Sequence, residues 1–145
     1  MAKVLKADPS VTYPVAMNAS AAASEGYLYG INSSGAGLLA DCSTPVFAVG
    51  FAFRDLSAAN SALGKPVILY QRGIIELTAS DITGGWTIGA GVYLSTAGKW
   101  TTVKPSTNAY ALQPVGVAVS ATRVLVDVAN HRTLFQTAAT STVSM

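Results

Sequence analysis

The chain has 145 residues, half of them apolar, which is the length of one domain and too short for two ordinary ones with a linker. Charged residues are only 11%, against about 25% in an ordinary soluble domain, and the net charge is +2. That excludes a nucleic-acid binder working by charge density, since each phosphate contact needs its own cation, and it excludes a disordered chain of the highly charged kind.

In chain order, residues 1–24 read as an extended N-terminal arm. Pro9 and Pro14 bar a continuous helix there, and Tyr13 and Val15 fit a short strand. Glycines then punctuate the chain densely, with short β-rich runs between them. These runs are Gly26–Ile31, Val46–Phe53, Pro66–Gln71, Ile74–Thr78, Thr87–Ile88, Val92–Ser95, Trp100–Val103, Val115–Ser120 and Val124–Val128. Such spacing predicts an all-β fold, a single compact β-barrel or β-sandwich-like domain over residues 25–129. Its one helix is expected over Leu56–Leu63, stopped by Gly64. Val115, Val117 and Val119 are expected on one face of a strand. Val124, Val126 and Val128 are expected on one face of the next, with Asp127 on the other. Gly64-x-x-Val67-x-Leu69 and Gly89-x-x-Val92-x-Leu94 echo each other, as two hairpins with the same turn chemistry would. Residues 130–145 are rich in Thr, Ser and Ala, with one apolar spot at Leu134-Phe135, and read as a C-terminal tail.

Reactive constellations are scarce. Cys42 is the only cysteine, so an intrachain disulfide is excluded, and Asp41 beside it opposes thiolate formation. His131 is the only histidine and lies after the last expected strand, without the rigid mount a catalytic base needs. One Cys, one His and seven scattered carboxylates lack any metal-ligand spacing. Gly35-Ala-Gly37 matches a loose dinucleotide fingerprint, but Pro45 ends any following helix almost at once. Glu76 and Asp81 read as solvated carboxylates. The tyrosines and tryptophans near strands read as core or interface residues, because Lys and Arg are not interleaved with them. The start lacks the apolar core of a signal peptide, and no run approaches the roughly 18 apolar residues of a membrane span. The expectation is a soluble protein made in a reducing cytoplasm. Few charges on a β-rich, apolar chain suggest a surface covered by other proteins.

A longer pattern carries a family resemblance. Val46-Phe-Ala-Val-Gly-Phe-Ala is followed by Gly64-Lys-Pro-Val-Ile-Leu-Tyr-Gln-Arg-Gly-Ile-Ile-Glu-Leu77 and Thr87-Ile-Gly-Ala-Gly-Val-Tyr-Leu-Ser95. Then come Gly98-Lys-Trp-Thr-Thr, Pro114-Val-Gly-Val-Ala-Val and Val124-Leu-Val-Asp-Val128. Over residues 25–129 this resembles the capsid decoration (cement) proteins of tailed double-stranded DNA bacteriophages. The resemblance implies a structural, non-enzymatic virion protein made in the host cytoplasm and bound to the outer face of the head. Its implied partners are the major capsid protein and identical copies in a homotrimer, with no cofactor, nucleic acid or membrane. It carries over no site residues. From the residues themselves, the arm is expected to contact the shell through Val4, Leu5 and Tyr13. The alternatives are another phage structural module (tail, collar or fibre tip) and a carbohydrate-binding β module.

Overall fold

A computed structural model describes residues 1–128 and the backbone of Leu134–Phe135. The strands are β1 (Lys3–Ala7), β2 (Thr12–Val15), β3 (Leu28–Ile31), β4 (Gly37–Leu39), β5 (Gly50–Ala52), β6 (Val67–Tyr70) and β7 (Arg72–Glu76). They continue with β8 (Gly91–Leu94), β9 (Trp100–Thr101), β10 (Ala111–Leu112), β11 (Pro114–Ala118), β12 (Arg123–Asp127) and β13 (Leu134–Phe135). One sheet has six strands in the order β1-β7-β12-β11-β8-β9, and another has five in the order β2-β6-β5-β3-β4. The pairings within both sheets are antiparallel. The sheets stack as a sandwich; neither closes as a barrel. One parallel bridge, Met17 to Gly37, brings the chain after β2 against the opposite edge strand, so the five-stranded sheet is strongly curled.

The main core lies between the sheets, with Leu28, Phe51, Ile75, Val92, Leu94, Trp100, Val124 and Val126 at its heart. Trp100 is fully buried and its indole N–H donates to the Gly26 carbonyl at 3.1 Å, so its polar handle is satisfied. A second cluster lies on the other face of the five-stranded sheet, where Tyr29, Ala52 and Leu69 meet Val15, Met17 and Ala23. Neighbouring residues on β3 and β5 point into different clusters: Leu28 against Tyr29, Phe51 against Ala52. A strand buried on both faces reads as a continuous apolar run.

The helix α1 (Ala58–Ala62) falls inside its expected span. The Ser57 hydroxyl accepts from the Asn60 N–H at 3.1 Å, and Gly64 follows with φ 83°. Val124, Val126 and Val128 are buried together, as expected. The expected shared face of β11 is corrected. Val115 is fully buried whereas Val117 and Val119 are exposed. The register against β8 shifts between Pro114 and Gly116, and one extra residue flips every later side chain to the other face. Thr87–Ile88 is loop. Of Val46–Phe53 only β5 is strand, because Ala48 pairs instead with the side chain of Gln113. The echo resolves into two different devices: β8 and β9 pair within one sheet, while β6 and β7 lie in different sheets with only Gln71 between them.

The first 24 residues do not stand apart from the sandwich. β1 pairs with β7, from Lys3 opposite Glu76 to Ala7 opposite Gly73. β2 pairs with β6, from Thr12 opposite Tyr70 to Val15 opposite Val67. The N-terminal segment is therefore one ribbon laid antiparallel along β6–β7, across the corner where that pair changes sheets. It supplies an edge strand to each sheet. Residues 18–24 then cover the second core cluster, pinned by the Ser24 N–H donating to the Tyr29 hydroxyl at 2.8 Å. At the other end, β13 pairs with β10, Ala111 opposite Phe135; the rest of the expected tail lies outside the described residues.

Candidate functional site

The outward face of the six-stranded sheet carries its charges in two rows with an apolar row between. Lys3, Glu76 and Arg123 lie opposite one another on β1, β7 and β12. Two residues along, Ile74, Leu125 and Val117 form the apolar row, with Lys6 of β1 opposite Ile74 at its end. Beyond it, Arg72 lies opposite Asp127, with their ion pair at 3.5 Å. The Arg123 Nε donates to the Glu76 carboxylate at 3.1 Å, and the Thr122 hydroxyl donates to the same group. These pairs are largely exposed and contribute little to stability, but they tie Arg72, Asp127, Glu76 and Arg123 to partners within the chain. What the face offers a partner is the apolar row.

The expected contact residues divide. Val4 packs against the main core, and its N–H donates to the Glu25 carboxylate at 2.8 Å. That bond occupies the open edge of β1, which would otherwise invite another strand. Leu5 is the extra residue where the register shifts between Val4 and Lys6, and it is 45% exposed beside the apolar row. Tyr13 is 48% exposed on the edge strand β2. The ribbon thus presents Leu5 and Tyr13 and withdraws Val4. Proximity to the apolar row on β7, β12 and β11 was beyond the reach of the sequence pattern, because Ile74, Leu125 and Val117 come from three separate runs and meet only through sheet order.

The other candidates have structural employment. Burial, and secondarily Asp41, pushes the Cys42 thiol up, away from nucleophilic thiolate. Asp81 is fully buried and accepts from the Thr78 N–H at 2.8 Å, capping a single 3-10 turn. Asn32 folds the Gly35-Ala-Gly37 stretch into the β3–β4 turn by accepting from the Ser34 and Ala36 N–H groups. His131 lies outside the described residues. Among the described residues, no three of His, Cys, Asp and Glu gather to hold a metal, and no helix is long and apolar enough to cross a membrane.

Titration follows from these partners. The Thr122 hydroxyl and Arg123 hold Glu76 below its usual 4.5, and the Ser10 amide holds Asp8 below its usual 3.8. Burial pushes Asp41 up, but hydrogen bonds from Ser43, Ala97 and Thr44 outweigh it and hold that carboxyl below 3.8. A carboxyl with a lower pKa in the folded state binds fewer protons there than when unfolded, so its stabilisation is lost as acid titrates it. Cys42 runs the other way: above its usual 9.0 the unfolded chain releases a proton that the fold retains, so stability falls with rising pH. The melting temperature is expected to be flat between these limits, falling below 4.5 and again above 9.0. Scanning calorimetry across pH checks this, and a Cys42→Ala variant is expected to soften the alkaline limb.

The exposed apolar row is the kind of surface that meets other proteins. Residues 5–132 match the family model of phage cement proteins. The chain belongs to that family. The match begins inside β1, so it takes in most of the N-terminal ribbon as well as the span that carried the sequence resemblance. No curated protein matches the chain. Phage cement proteins are structural, and the membership associates this one with the phage capsid.

Proposed function

We propose that this cement protein binds the outer surface of the phage head and fastens neighbouring major capsid protein subunits, as a homotrimer and without catalysis. The observation that carries the reading is the family match running through both sheets. The exposed apolar row, bordered by Leu5, supports it. Several weak contacts suffice for such a role, because each contact made turns the next into an intramolecular one. Binding only the assembled lattice then stabilises that lattice by mass action. Leu5 and Tyr13 are the proposed shell contacts, with Val4 serving the core beneath them.

Removing residues 1–15 would strip an edge strand from each sheet, so it cannot test contact alone. The double variant Leu5→Asp/Tyr13→Asp keeps the backbone pairing. Added to expanded heads that lack the cement protein, the wild-type chain is expected to bind and to raise the temperature at which the shells break. The double variant is expected to melt like wild type yet lose at least about tenfold in binding, as truncated interface anchors do. Undiminished binding by the variant would remove these two residues from the contact. Failure of the wild-type chain to bind any head would remove the function itself.

A further inference from the structure

The end of β5 and the start of β6 open into a cleft of about 390 Å³ that the ribbon and the apolar row do not include. Its walls are the Phe53 and Tyr70 rings, 5.1 Å apart at 49°, together with Pro66 and Ile68. Ile68 is 38% exposed, a large aliphatic residue left partly in water. At the mouth the Arg54 guanidinium stands 4.8 Å over the Phe53 ring. Neither Arg54 nor the nearby Lys65 has an ion-pair partner among the described residues. Asp55, the carboxylate on the cleft wall, is turned to the Glu25 N–H, which donates to it at 2.7 Å. Arg72 and Arg123, by contrast, are both paired to carboxylates.

Resting on the reading of the chain as a head-binding cement, we infer that this cleft takes an extended segment of a shell subunit bearing an apolar side chain next to a carboxylate. The volume suits one or two side chains. Two rings, a proline and an isoleucine supply non-directional apolar contact. Arg54 already stands over the Phe53 ring, so less of its side-chain freedom is lost when its planar donors meet a carboxylate. A sugar fits the walls less well, because recognising one takes several convergent polar groups. Here Arg54 and the Tyr70 hydroxyl are the free ones, Asp55 being engaged by a backbone amide.

Three variants test the cleft in the full chain on heads lacking the cement protein: Arg54→Glu, Ile68→Asp, and Lys104→Glu as a charge-matched change elsewhere. Arg54→Glu is expected to weaken binding at least about tenfold at low salt, with the deficit shrinking in about 0.5 M salt. Ile68→Asp is expected to weaken it at any salt, and Lys104→Glu to leave it unchanged. Wild-type binding with no loss in Arg54→Glu and Ile68→Asp overturns the cleft while sparing the head-binding reading. Equal losses in Arg54→Glu and Lys104→Glu also overturn it, since net charge would then be the cause. So does a rise in melting temperature with galacturonic or N-acetylneuraminic acid alongside unchanged head binding by the variants, which would put an acidic sugar there. No binding by the wild-type chain overturns both.

Discussion

Replacing Gln113 by Leu is expected to lower the melting temperature by about 10 °C, the larger of two effects expected from single side chains. Gln113 is 1% exposed, and both ends of its amide are used. Its Oε1 accepts from the Ala48 N–H at 2.7 Å, and its Nε2 donates to the Ala48 carbonyl at 2.8 Å. The side chain therefore does for residue 48 what a neighbouring strand would do. Leucine keeps the approximate volume and removes both partners, leaving a buried backbone donor and acceptor unsatisfied. Each orphan costs about 1–3 kcal/mol, so the pair is expected to cost about 3 kcal/mol. For a chain of this length that is roughly 3 °C per kcal/mol. Calorimetry or thermal circular dichroism measures it. A fall under about 3 °C would mean that water replaces the amide, and that the 46–49 segment is not held by this residue.

Gly73→Ala is expected to cost about 1–3 kcal/mol, as overpacking against a fixed neighbour does. A β-carbon at this position would stand 2.2 Å from the Lys6 carbonyl oxygen and 2.9 Å from the Phe51 ring. The ring has some freedom; the carbonyl belongs to the β1 backbone paired with β7. Relief therefore requires β1 to lift away, taking Leu5 with it. Three signatures are expected together, the first two being a lower melting temperature and faster proteolytic cleavage between residues 3 and 12. Weaker head binding than the stability loss explains is the third. Wild-type proteolysis in a destabilised variant would show that the clash is absorbed by Phe51 instead.

Much of the sandwich was legible in the residues. The runs that became β6, β7, β8, β11 and β12 combine β-branched side chains with turn residues at both ends, and Gly64 follows α1 as expected. The N-terminal ribbon was harder because its strands are edges. Prolines at 9 and 14 exclude a helix there, and the short strand expected at Tyr13 and Val15 is β2, an edge strand whose solvent side tolerates Pro14. β1, Lys-Val-Leu-Lys-Ala, lacks the strict period-two alternation of a half-buried strand and makes sense only against β7. The exposed valines of β11 were misplaced because a bulge is invisible to strict period-two counting. The site was less legible than the fold. Leu5 and Tyr13 stood out as apolar residues in a polar stretch, whereas the cleft draws Phe53 and Tyr70 together across two strands separated by the helix and its loops.

The course of the N-terminal ribbon along β6–β7 also fixes how the molecule bears tension. A pull applied lengthwise at Leu5 and Tyr13 slides β1 and β2 against their neighbours, so the hydrogen bonds of both ladders resist at once instead of parting one after another. Because β6 and β7 are joined through the single residue Gln71, strain arriving on one layer is handed directly to the other. With the proposed shell contacts at Leu5 and Tyr13, a swelling head would meet a stiff strut and not a hinge.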